Sequence, residues 1–124
     1  EASVSKNSAT QFGTLFVADD PLTVGPDPAS RSIGRAQGIF ALASKEELNL
    51  LFGMYFYFTE GKYNGSSVSI FGMNRISQID RELSVVGGTG VFRLSRGFAL
   101  TKLYSSNSTT RNAIVEYWLT ILHH

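Results

Sequence analysis

Cysteine does not occur among the 124 residues, so the chain has no disulfide framework, no thiolate metal site and no cysteine nucleophile. Histidine is confined to His123 and His124 at the end of the sequence, a pair that reads as a strand end or tag remnant rather than as metal ligands. Neither sign of charge is in excess: the formal net charge is +1, the charges are scattered, and no basic run could track a phosphate backbone, which argues against a nucleic-acid partner. Long hydrophobic runs are missing too. A membrane-spanning helix needs about 18–20 apolar residues, and the longest stretch here, Leu48 to Phe58, is interrupted by Asn49 and Gly53, which predicts a soluble chain with no membrane partner. The first residues carry no leader pattern, as expected of a mature or trimmed product. GxSxG, HExxH and Walker motifs are absent, and the expectation is that neither cofactor nor metal is used. Gly87-Gly88-Thr89-Gly90 lies between two strands with no helix to offer an N-terminus, and therefore reads as a hairpin or bulge rather than a phosphate loop.

What the sequence does have is 43% hydrophobic residues, enough to bury the core of one domain over 1–124. Seven β-compatible stretches are bounded by glycine and turn residues: 12–19, 34–43, 48–59, 66–73, 83–86, 91–104 and 113–122. Pro21, Pro26 and Pro28 gather in a predicted loop over 20–32, and the one helical hint is a capping box from Ser44 to Glu47. In 48–58 one parity carries Leu48, Leu50, Phe52, Met54, Phe56 and Phe58, and the other carries Asn49, Leu51, Gly53, Tyr55 and Tyr57. Both faces need cover, which points to an all-β barrel with a filled or ligand-holding interior and an outer face packed on other subunits; an open sandwich is the alternative. Glycines at 38, 53, 72 and 97 would supply the bends that closure requires.

Charges within or at the ends of apolar strands are the chemical candidates: Asp19, Asp20, Arg35, Asp80, Arg81, Arg93, Arg96 and Glu116. A charge facing a barrel interior is costly unless paired, so any that point inward should be partnered or functional. A carboxyl group in such a cavity could serve as general acid toward a phenol or benzylic hydroxyl; solvated or intersubunit ion pairs are the bland alternative. Tyr55, Tyr57, Phe92 and Tyr104 are candidate stacking walls, although barrel aromatics also serve packing. Asn64 and Asn107 head Asn-X-Ser/Thr sequons in turn-like segments, a signal of secretion and N-glycosylation.

Taken in order, Phe12-Gly13, Asp19-Asp20-Pro21-Leu22-Thr23, Gly34-Arg35-Ala36-Gln37-Gly38, the block from Phe58 to Ser66, the block from Val85 to Gly90, and Arg96-Gly97 resemble the signature blocks of plant dirigent proteins over nearly the whole chain. The resemblance implies an eight-stranded antiparallel β-barrel, similar to allene oxide cyclase and distantly to lipocalins, assembled as a homotrimer and secreted to the apoplast as a glycoprotein. Since the family's first strand normally precedes the segment where this chain begins, that strand is expected to be missing from these residues. Lignan-forming members orient coniferyl alcohol radicals made by a separate oxidase, a laccase or peroxidase, so the resemblance implies no intrinsic oxidase activity. It implies catalytic roles for Asp19 and Arg81 and a pocket position at Asn74; Asp20 is added as a candidate acid, and Tyr55, Phe92, Arg96 and Tyr104 are candidate pocket residues from the strand pattern. Asn74 stands where lignan-forming members carry a second aspartate, and an amide cannot act as an acid. With the block from Glu60 to Gly65, and an ending in Leu122-His123-His124 without a cysteine, this places the chain nearer the branch of disease-response proteins and pterocarpan synthases. Those synthases remove water from an isoflavanol and close a ring through a quinone methide. The expectation is thus stereocontrol of phenolic coupling or quinone-methide chemistry, with an isoflavanol dehydratase and a non-catalytic phenolic carrier as alternatives.

Overall fold

A computed structural model describes residues 12–25, 27, 29–45, 49–75, 80–107 and 112–122, without side chains at 80, 103–107 and 112–114. Strands β1 (Leu15–Thr23), β2 (Ser32–Leu42), β3 (Asn49–Phe58), β4 (Ser67–Arg75), β5 (Asp80–Thr89), β6 (Arg96–Asn107) and β7 (Asn112–Leu122) follow one another in chain order. They form a single seven-stranded sheet, each strand antiparallel to the next. The sheet curls into a half-barrel whose edges are β1 and β7. The all-β antiparallel fold is the one expected from the sequence, with seven strands in place of eight.

The curl follows from side-chain size. Large residues of one parity, Phe52, Met54 and Phe56 on β3 with Val68 and Ile70 on β4, are buried on the concave face. Small ones sit opposite: on β2 the inward positions are Gly34, Ala36 and Gly38, registered against Phe58, Phe56 and Met54. A Cβ at Gly38 would fall 2.2 Å from the Gly53 carbonyl oxygen, and one at Gly97 would fall 1.9 Å from that of Thr120, so these two glycines permit backbone approaches closed to any other residue. Fully burying one side chain such as Phe56, which is 1% exposed, contributes about 2–3 kcal/mol.

One end of the interior is plugged by three aromatic rings, Phe58, Tyr63 and Phe92, with centroids 5.0–6.0 Å apart. Short 3₁₀ turns at Gly61–Tyr63 and Gly90–Phe92 deliver Tyr63 and Phe92 to that plug. The stretch 91–104 is therefore not one strand: its first residues make this turn, and β6 begins at Arg96. The glycine run continues β5 through a bulge, marked by a register shift opposite Ser69/Ile70, before Gly90 turns with φ 64°. Pro21 lies inside β1, not in the loop; because β1 is an edge strand, its missing N–H breaks no ladder. The capping box extends into Glu46 and Glu47, and with His123 and His124 these lie outside the described residues.

Candidate functional site

Adjacent residues in a strand point to opposite faces, and this separates Asp19 from Asp20. Asp20 shares its parity with Ala18 and Leu22, both packed against the core, and pairs across the ladder with buried Ala36. Asp19 faces outward. There its Oδ1 accepts hydrogen bonds from Arg35 Nε (3.1 Å), Arg35 Nη2 (2.9 Å) and Gln37 Nε2 (2.9 Å), while Gln37 Oε1 accepts one from the Tyr55 hydroxyl at 2.7 Å. The hydrogen bonds from Gln37 and then Arg35 hold the Asp19 carboxyl below its ordinary range, so it stays ionised in this cluster.

Inside, a polar row crosses the end of the barrel away from the aromatic plug. Tyr117 of β7 registers against Thr101 of β6, and Thr101 against Arg81 of β5. Arg81 Nη1 then donates to Asn74 Oδ1 of β4 at 3.3 Å. Tyr117 packs edge-on to Phe56, centroids 4.9 Å apart, and its hydroxyl donates only to the Met54 sulfur at 3.9 Å, a weak acceptor. Burial, reinforced by the negative charge of Asp20 and partly offset by Arg81, pushes the Tyr117 phenol up to about 12. It is thus a neutral hydrogen-bond donor at any physiological pH, close enough to sense a carboxylate and a guanidinium.

The row is under-satisfied. Arg81 Nε and the Thr101 hydroxyl are buried without a hydrogen-bond partner among the described residues. Leaving such groups unpaired costs about 1–3 kcal/mol each, more for a charge, and natural structures keep few of them. With the Tyr117 hydroxyl they make three donors that lack a good acceptor, in an apolar setting, with the Asp20 carboxyl near Tyr117. The arrangement can bind an acceptor oxygen and exchange a proton with a second group of the same ligand.

The structure thus brings Asp20, Arg81 and Asn74 to one interior and does not bring Asp19 there. Tyr55 is on the outer face, 43% exposed; Arg96 is exposed at the start of β6; Phe92 belongs to the aromatic plug. Tyr104 sits at a β6 bulge and Asn107 ends that strand, and the side chains of both lie outside the described residues. Asn64 is exposed in the turn after Gly61–Tyr63. Sequence reasoning missed Tyr117 and Thr101. A signal existed for Tyr117, since 115–121 alternates Val, Tyr, Leu and Ile with Glu, Trp and Thr. Open grooves on the outer face, one of about 570 Å³ lined by Ile39, Gly53, Tyr55, Phe71 and Val86, gather none of the inner polar residues. Among the described residues no helix is long and apolar enough to cross a membrane, and no cluster of three or more His, Cys, Asp or Glu could hold a metal.

An antiparallel half-barrel with an apolar interior and a row of unsatisfied inner donors defines the chain's class, an all-β barrel-type fold. The comparisons narrow this to one group: residues 1–122 match the Dirigent-like protein family model, and the chain belongs to the dirigent family. It is 47% identical over 117 residues to pterocarpan synthase 1 of Glycine max, covering 94% of this chain and 63% of that protein. Its identity to pterocarpan synthase 1 of Glycyrrhiza echinata is 47% over 121 residues, covering 97% and 64%, and to Dirigent protein 21 of Arabidopsis thaliana 44% over 119 residues, covering 96% and 63%. The chain thus spans just under two thirds of the length of these curated relatives. A solved structure of a pterocarpan synthase dirigent protein superposes with a TM-score of 0.86 at 46% identity, covering 98% of this chain and 70% of that one.

Proposed function

We propose that this chain is a dirigent-type protein that steers a phenolic quinone methide, removing water from a hydroxylated phenolic such as an isoflavanol and closing a ring stereoselectively. The observation that carries this reading is the donor surplus of the inner row beside a carboxyl group: Arg81 Nε, Thr101 and Tyr117 lack good acceptors, and Asp20 shares the strand parity that faces the same interior. In the reaction Asp20, acting as general acid, passes a proton to the departing hydroxyl as the benzylic C–O bond breaks and water leaves. The conjugated phenol gives up its O–H proton to solvent, and as the benzylic C–O bond breaks its oxygen becomes the neutral quinone-methide carbonyl; the free donors stabilise the negative charge that returns to that oxygen when the benzylic carbon is attacked. A second phenolic hydroxyl of the ligand then attacks the benzylic carbon, its proton returns to Asp20, and the carbonyl oxygen regains one. No electrons are exchanged with an oxidant. A tenfold facial preference requires only about 1.4 kcal/mol, well within what a fixed pose supplies.

The similarity to two pterocarpan synthases supports the dehydratase form of the reading; radical coupling beside a separate oxidase, expected from the family resemblance, is the second. The same proposal includes a homotrimer, supported by apolar residues exposed on the outer face, among them Ile39, Leu51, Phe71 and Met73 at 46–54% exposure. It includes secretion and glycosylation, supported by the exposed sequon at Asn64. Chiral chromatography decides between the reactions. Purified protein given a racemic isoflavanol without oxidant should yield one cyclised enantiomer. Enantiomeric excess only from coniferyl alcohol with a one-electron oxidant would favour coupling, and saturable binding without product in either assay would leave a carrier.

A further inference from the structure

Among the described residues, no side chain forms an ion pair with Arg81. Its Nη1 donates to the neutral amide of Asn74, its Nε is buried without a partner, and the ion pair found among the described residues, Arg35 with Asp19, is on the other face of the sheet. Asn74 is itself 8% exposed, so this pairing is shielded from water. Among the described residues, the other titratable side chain facing this row from a packed strand is Tyr117, a neutral phenol; Asp20 lies on the edge strand β1, is exposed, and makes no ion pair with Arg81. Glu82 and Lys102 sit beside Arg81 and Thr101 in their strands and turn to the opposite face. An uncompensated guanidinium in an apolar setting is costly, and the counter-charge has to arrive with the ligand.

We infer that Asn74 is a specificity-determining residue: by pairing Arg81 with an amide rather than a carboxylate, it leaves the guanidinium free to select a phenolic ligand in its ionised form, the phenolate oxygen seated on Arg81 Nε and the Thr101 hydroxyl. This rests on the reading of the inner row as the phenol-binding site and adds which protonation state that site takes. The neutrality of Tyr117 supports it, because a phenol that keeps its proton donates to an oxyanion instead of repelling it.

The probe is 4-nitrophenol, whose ionisation is read directly by absorbance, with 4-nitroanisole as a partner of similar shape that cannot ionise. An opposite charge within a few ångströms favours the charged form by about tenfold or more. Bound 4-nitrophenol should therefore ionise about one pH unit or more lower than free probe, and at neutral pH should bind at least about tenfold tighter than 4-nitroanisole. Asn74→Asp, which supplies Arg81 with its own carboxylate, should abolish both preferences, whereas Asn74→Leu, which adds no charge, should keep them; thermal melts of both confirm the fold. The wild-type comparison of the two probes stands even if neither variant folds. Binding with unchanged or raised ionisation would overturn the inference and leave the functional reading standing, as would a full preference surviving in Asn74→Asp. Failure of both probes to bind would remove the functional reading and the inference with it.

Discussion

Two polar clusters built from neighbouring residues behave in opposite ways. On the outer face Asp19, Arg35, Gln37 and Tyr55 form a chain of hydrogen bonds in which the carboxylate accepts three and Gln37 accepts a fourth from the Tyr55 hydroxyl. On the inner face Asp20, Tyr117, Thr101, Arg81 and Asn74 share one interior and leave three donors short of good acceptors. The outer set has what a structural network needs, and being solvent-exposed it contributes little. The inner set has what a ligand would complete. Satisfaction, rather than charge or family position, is what tells the two apart, and the pleat of one strand decides which aspartate belongs to which.

Breaking the inner cluster should cost the most. Arg81→Leu removes an oxyanion donor, and the rate of stereoselective product formation should fall by about 10²- to 10³-fold, read by chiral chromatography of timed samples. Tyr117 gives the next largest effect. Because its folded-state phenol is raised to about 12 from 10.0, the folded protein holds that proton after the unfolded chain has lost it. The associated stability is fully present below about pH 10 and is lost as pH climbs toward 12, by on the order of 2 kcal/mol. Urea unfolding at pH 9 and pH 11.5 should show that loss in wild type, and its absence in Tyr117→Phe would be expected from the same cause. Thr101→Val is smaller and has two signs: deleting an unpaired buried hydroxyl should raise stability by up to about 1 kcal/mol while product formation drops roughly tenfold. Arg35→Ala completes the series from the other side. It dismantles the outer cluster, 37% exposed at its arginine side chain, and should change stability by less than about 1 kcal/mol and product formation by less than about twofold.

These contrasts also show how far the residues alone could lead. The seven strands were legible because glycine and turn residues separate runs of apolar and aromatic residues, and the phase of β3 was legible because its large side chains fall on one parity. The phase of β1 was not. Leu15, Phe16, Val17 and Ala18 are apolar on both parities, so nothing local assigns Asp19 or Asp20 to the interior; the register with β2 does. Thr101 was hidden by an inversion in β6, where Gly97 and Ala99 point inward while Phe98 and Leu100 are 37% and 41% exposed. Facing strands fill the interior there with larger side chains such as Leu83, and hydrophobicity read along β6 alone points to the wrong face. Arg81 stood out as a charge at the end of an apolar strand, and Asn74 was found through the family resemblance. That the arginine is left with an amide and an orphan Nε is visible only once β4 and β5 are side by side.

The most direct test of the division between the two faces is a paired substitution of the neighbouring aspartates, Asp19→Asn and Asp20→Asn, each assayed for enantioselective product formation from a racemic isoflavanol. The account predicts that Asp20→Asn slows the reaction by about 10²-fold or more, the usual loss for a general acid, while Asp19→Asn stays within about twofold of wild type. The reverse ranking would contradict it, because the acid would then be the carboxylate that already accepts three hydrogen bonds on the outer face.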